Sequence, residues 1–184
     1  MRIMLGDGIP LTAAQAGIWF AQQLDPKNPI YNAAEYLEIR GTIDTGVFEQ
    51  ALRRLVEEAE ALRMHVVEDG EGLWQIADPD PHWTLEQLDL RHEDDPRTAA
   101  EQWMRQALSE PVDPRYDLLF RFALLRVATD RYLWFYRYHH VTVDGFAVAL
   151  LARRAADLYT ALAAGQEPTP SGFGAVADLV AADT

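Results

Sequence analysis

The sequence predicts an α/β protein of the α+β sandwich kind, in which a mixed, mostly antiparallel central sheet is flanked by helices. Three observations carry this. Residues 118–128 (LLFRFALLRVA) and 131–140 (RYLWFYRYHH) are apolar, aromatic and rich in strand formers, and they meet at Thr129-Asp130 as neighbouring antiparallel central strands would. Two long runs with helical apolar spacing, 44 to about 63 and 144–163, bracket that pair in the chain. Helix and strand signals alternate throughout, with no repeat or low-complexity segment.

Taken in order, Thr12 precedes AAQAGIWFAQQL, where Ala16, Trp19, Phe20 and Leu24 form an apolar helical stripe that Asp25-Pro26 ends. Trp19 and Phe20 are expected in the core. Residues 30–40 (IYNAAEYLEIR) read as a strand, and the helix from Asp44 turns Phe48, Leu52, Leu55, Val56 and Ala59 inward. Strands at 64–67 and 73–77 flank Glu68-Asp69-Gly70, a hairpin signal. After an excursion at Pro79 and Pro81, residues 83–90 read as an edge strand, and Asp95-Pro96 opens a helix to about Ser109. The helix from Asp144 is expected to bury Phe146, Leu150, Leu151, Ala155, Leu158 and Leu162. Residues 165–174 read as a linker-like stretch before a last short helix.

Composition narrows the function classes. With 49% hydrophobic and 10% aromatic residues among 184, a sizeable core is available and disorder is excluded. Sixteen basic against 29 acidic residues give a formal charge of −13, which repels a polyphosphate backbone, so nucleic acid is not an expected partner. The absence of cysteine removes disulfides, thiolate metal clusters and a cysteine nucleophile, in keeping with a reducing cytoplasm. Apolar runs are too short to span a bilayer, and residues 1–10 lack a signal core; a cytoplasmic protein without membrane attachment is expected.

The chemistry concentrates in His139-His140-Val141-Thr142-Val143-Asp144-Gly145, a strand end, a turn and a helix start. Three readings compete there. Adjacent strand residues point to opposite faces, so His139 and His140 cannot easily share a metal ion. Either ring can instead be a satisfied polar group of the core, the usual state of a buried histidine. Alternatively, one ring serves as base or hydrogen-bond partner for an attacking amine, because its pKa lies near working pH. Spacing alone leaves these open.

HHVTVDG resembles the HHxxxDG motif of the condensation-domain superfamily of nonribosomal peptide synthetases, related to the chloramphenicol acetyltransferase-like fold. LTAAQAGIWFAQQLDP, through Gln15, Trp19, Phe20 and Leu24, is similar to the family's opening motif. LVEEAEALRMHV resembles its second motif through Glu60, Ala61, Leu62 and Arg63, with Glu58 and Ala59 standing where an arginine and a histidine are usual. The stretch YRYHHVTVDGF looks especially like siderophore synthetases.

The resemblance implies that His140 is the functional histidine, as base or as positioning group, and His139 a structural neighbour. It makes Asp144 a structural acid in an ion pair, Gly145 a backbone hinge open to a pantetheine arm, and Arg63 an ion-pair member. The implied reaction joins the amine of an acceptor aminoacyl thioester to a donor acyl or peptidyl thioester. No bound cofactor or metal is expected: phosphopantetheine arrives on donor and acceptor peptidyl carrier proteins, since the chain has neither a carrier serine motif nor a phosphate-binding glycine loop.

Residues 1–165 are expected to be the N-terminal lobe of such a domain, and 166–184 to lead towards a C-terminal lobe that these residues do not contain. By itself such a lobe would be a poor catalyst. The opening at Met1 suggests a chain that receives its donor from a separate protein or acyl starter. A non-catalytic carrier-docking module, an epimerisation lobe and a coenzyme A-dependent acetyltransferase are the alternatives, whereas the motif of heterocyclisation domains is absent.

Overall fold

Two sheets and five helices are built from residues 8–182, the part of the chain that this computed structural model describes. Residues 1–7, which include the Met1 start, lie outside it. In chain order the elements are β1 (Ile9–Pro10), α1 (Ala13–Gln23), β2 (Asn32–Arg40), α2 (Thr45–Glu58), β3 (Met64–Glu68), β4 (Leu73–Ala77), β5 (Glu86–Asp89), α3 (Pro96–Ser109), β6 (Phe120–Ala128), β7 (Arg131–His139), α4 (Gly145–Ala163) and α5 (Val176–Ala182).

The larger sheet runs β2-β7-β6-β5, antiparallel except for the β5–β6 pair. β6 and β7 are its central strands, as their two-sided apolar character predicts. One face carries α2 and α4, whose Leu52, Leu55, Leu151 and Leu158 pack with Trp134, Tyr136 and Tyr138 of β7. The other carries α3, where Ala100, Met104 and Ala107 meet Leu125, Leu133 and Phe135. A helix–sheet–helix sandwich results.

The smaller sheet, β1-β4-β3, is a separate unit that the expectation of one central sheet omits. Its core joins Trp19 of α1 to Val66, Val112, Leu119 and Val141.

Helix starts follow the local chemistry closely. Thr12 and Gln15 form a reciprocal capping box on α1. Asp44, Asp95 and Asp144 each accept from backbone N–H groups of the first turns of α2, α3 and α4. Such a cap contributes about 1 kcal/mol.

Several expectations are corrected. Phe20 and Leu24 are exposed, at 61% and 89%, because α1 turns Trp19 and Gln22 inward instead. Gln22 is tolerated in the core because its side-chain amide donates to the Val112 carbonyl. Phe146 and Leu150 are also exposed, since the sheet covers only the face of α4 that bears Val148, Leu151, Ala155 and Leu158. The helix expected to run to Arg63 stops at Glu58, and residues Glu60–Arg63 form a separate 3-10 turn after Ala59 leaves helical geometry. The strand expected at 83–90 is confined to β5, an edge strand as expected. Ile30 belongs to a 3-10 turn, Pro29–Tyr31, that precedes β2.

The stretch after α4 packs back onto the fold. Arg154, with its side chain only 9% exposed, makes a two-pronged ion pair with Glu58 at 2.7 and 2.9 Å and donates to the Thr169 carbonyl at 2.8 Å. Glu60 accepts from the Val176 backbone N–H at the start of α5. Burial opposes ionisation of Glu58, but hydrogen bonds from Arg154 and Arg54 outweigh it and hold its carboxyl below the ordinary range. Removing one partner of a buried pair strands the other charge. Arg154→Ala is therefore expected to cost about 3 kcal/mol in denaturant unfolding. The half-exposed Arg54, changed to alanine, should cost less than about 1 kcal/mol in the same measurement.

Candidate active site

Strand parity decides the fate of the two histidines. β7 is buried on both faces, with Tyr132, Trp134, Tyr136 and Tyr138 directed to the α2/α4 core and Leu133 and Phe135 to the α3 core. Arg137 follows the second set, and its guanidinium donates to the Ala107 carbonyl of α3 at 2.7 Å. His139, the last strand residue, is buried at 2% exposure. His140 lies one residue beyond the strand and is exposed.

Its backbone is nevertheless fixed. The His140 N–H donates to the Tyr31 carbonyl at 2.8 Å, extending the ladder between β2 and β7 by one bond. The turn that follows closes through Thr142, whose N–H and hydroxyl both donate to the His139 carbonyl. Val141 and Val143 are buried beneath it. Asp144 then caps α4, its carboxylate accepting from the Ala147 N–H at 2.8 Å.

His139 is locked in place. Its Nδ1 accepts from the Val141 N–H at 3.2 Å, which puts the ring proton on Nε2, and Nε2 is buried without a partner among the described residues. Burial, with His140 and Arg137 nearby, pushes its pKa down to about 4, so the ring is neutral at physiological pH.

His140 opens instead onto a cleft of about 130 Å³ that it shares with Ala33, Glu35, Tyr136, Tyr138, Gly145 and Val148. Within this cleft the Tyr136 hydroxyl donates to Glu35 Oε2 at 3.0 Å. Burial and the Glu35 carboxylate both raise the pKa of the Tyr136 phenol, so it stays a donor. The Tyr138 hydroxyl is buried and has no partner among the described residues.

The ion pairs expected of Asp144 and Arg63 are not formed among the described residues. Asp144 acts as a helix cap. Arg63 donates to the Val56 and Asp78 carbonyls at 3.1 and 3.0 Å, tying the end of α2 to the end of β4. It faces a different cleft, lined by Pro79, Pro81 and Trp83. The ion pair that joins the second motif to α4 is Glu58–Arg154, and Glu58 occupies a position where an arginine was expected. Gly145 is the first residue of α4, does not have a positive φ, and a Cβ there would meet nothing within 4 Å. Nothing among the described residues requires it to be a glycine or a hinge.

Sequence reasoning missed Tyr136, Tyr138 and Glu35. The tyrosines carried a readable signal, since they precede His140 by even intervals in one strand. Glu35 did not, because only the β2–β7 register places it opposite Tyr136.

The family model for the condensation domain matches residues 6–178. The chain is 46% identical over 174 residues to a dimodular nonribosomal peptide synthase of Bacillus subtilis (strain 168), covering 95% of this chain and 7% of that protein. It is 46% identical over 174 residues to an isonitrile lipopeptide synthase of Streptomyces coeruleorubidus, covering 94% of this chain and 12% of that one. A mutant starter condensation domain of rhizomide synthetase RzmA, in complex with C8-CoA and Leu-SNAC, superposes with a TM-score of 0.93 and 40% identity. That match covers 97% of this chain and 41% of the solved chain, so these residues span less than half of it.

The depressed His139 pKa has a consequence for stability. Above the ordinary histidine value of 6.5 both folded and unfolded forms are neutral; as pH falls towards about 4 only the unfolded form takes up the proton. Folding stability should therefore drop over this window by up to about 3 kcal/mol. His65, also held below its ordinary value by burial, acts in the same direction. Urea unfolding between pH 7 and 4 should show a shallower loss in His139→Asn, whose side-chain oxygen can still accept from Val141; an unchanged slope would count against the assignment.

Proposed function

The chain belongs to the condensation-domain family, and on that premise we propose that it is the lobe carrying the functional histidine of an amide-forming acyltransferase of nonribosomal peptide synthesis. The observation that supports this most directly is the division of labour at the strand end. His139 is buried and immobilised, whereas His140 is held by its backbone and presented to an open cleft.

In the reaction, the lone pair of the acceptor's α-amine attacks the donor thioester carbonyl. The tetrahedral centre collapses with loss of the donor thiolate, and the proton shed by the nitrogen ends on that thiolate, giving the free thiol. The thioester supplies the driving force. His140 is placed to accept a hydrogen bond from the attacking nitrogen and to orient it. The C8-CoA and Leu-SNAC bound to the solved relative are an acyl and an aminoacyl thioester, the same two chemical classes.

Donor and acceptor reach the cleft on phosphopantetheine arms of carrier proteins in the cytoplasm. Gly145, open towards solvent at the start of α4, leaves room for such an arm. With a formal charge of −13 this chain attracts acidic carriers little, so tethering rather than charge steering would supply the local concentration. Residues 1–165 form the first lobe in this reading, and 166–184 lead towards the second, which would close the cleft.

Amide formation by the full-length protein, followed by mass spectrometry with loaded donor and acceptor carriers, tests the assignment. His140→Ala should lower the rate at least about a hundredfold. His139→Asn should stay within about tenfold of wild type, since it only replaces a packed neighbour. Undiminished product from His140→Ala would remove His140 from the reaction.

A further inference from the structure

We propose that Glu35 receives the ammonium group of the acceptor substrate, in the cleft it shares with His140. The inference rests on the amide-forming function proposed above and assigns a specificity role to a residue of the edge strand β2.

Glu35 differs from Glu38, the other carboxylate of β2, which lies on the opposite face of the strand. Glu38, three residues along β2, is taken by Arg40 and Arg97. Glu35 has no cationic partner among the described residues; its hydrogen bond there is the one received at Oε2 from Tyr136. That bond comes from a side chain 1% exposed, so it orients the carboxylate rigidly while leaving Oε1 available. An anion held in place without a counter-cation, beside a cleft, is suited to a cationic ligand.

The neighbouring groups favour a primary ammonium. An –NH3+ group brings three N–H donors and no acceptor. The cleft offers a carboxylate oxygen from Glu35 and an imidazole from His140. Tyr138 lines the same cleft with its ring, but its hydroxyl is fully buried and closed to a ligand, and burial first, then Tyr136 and Glu35, raise its pKa. Ala33 pairs with Tyr138 across the sheet and presents only a methyl group there. At about 130 Å³ the cleft admits an amine head group and its first carbons rather than a whole acyl chain.

The chemistry also sets which kinetic constant should move. A carboxylate stabilises the ammonium form, which cannot attack, so the contact favours capture of the acceptor and does not speed the chemical step. Loss of the charge should therefore appear in the acceptor KM. His140 remains free to take up a proton as the amine engages the donor carbonyl.

The test uses the full-length protein with a saturating acyl donor and an aminoacyl N-acetylcysteamine thioester as the varied acceptor. Glu35→Gln should raise the acceptor KM about tenfold or more, leaving the donor KM within twofold and kcat undiminished. Tyr136→Phe should raise the same constant by a smaller factor, because it frees the carboxylate without removing it. Glu35 is exposed, so the variant is expected to fold, which thermal melting verifies. An unchanged acceptor KM in an active Glu35→Gln protein would overturn the assignment, as would a fall in kcat with both KM values unmoved. Failure of the wild type to form amide would overturn the function it rests on.

Discussion

Burial of β7 on both faces is the constraint on which the rest of this structure depends. A strand covered by helices on each side has no solvent face into which its register can slip, because a shift of one residue would exchange every side chain between two differently shaped cores. The α2/α4 side accepts Trp134, Tyr136 and Tyr138, and the α3 side accepts the smaller Leu133 together with Phe135 and Arg137. His139 and His140 inherit their opposite fates from this parity. Neither histidine has a local feature that would distinguish it otherwise.

The helix that completes the motif is held from a distance. α4 begins at the Asp144 cap beside His140 and is anchored one face further along by Arg154, which grips Glu58 at the end of α2. Glu58 departs from the usual residue type of the second motif, and its pairing with Arg154 gives that departure a physical meaning: the charge that binds the two helices is present with the signs arranged in this way. The same arginine draws the segment after α4 against the fold through Thr169. A stretch rich in proline and glycine is thereby given a fixed course, which composition alone would assign to a flexible linker.

The acidic balance of the chain takes on a finer grain in three dimensions. Most carboxylates near the sheet are matched by arginines, as with Glu38, Glu58 and Glu86. Among the described residues Glu35 is matched by a phenol alone. The net charge of −13 is thus a sum over the whole chain, whereas the cleft beside His140 is lined by one carboxylate and two tyrosines, and that carboxylate has no cationic partner among the described residues.

By itself the sequence determined the class of fold, the central strand pair, the helix starts at Thr12, Asp44, Asp95 and Asp144, and the histidine pair at a strand end, because capping, alternation and turn chemistry are local. It also carried the family resemblance. Tertiary structure decided what depends on a partner distant in sequence. Helical spacing suggested that Phe20, Leu24, Phe146 and Leu150 were buried, but the width of the covered face is set by the sheet opposite, and all four are exposed. Arg63 was readable as a charged residue at a helix end, while its bonding to two carbonyls follows from the approach of β4. Glu35 enters the site only because β2 pairs with β7 in one register, and a register between strands a hundred residues apart is set by packing that no single segment encodes.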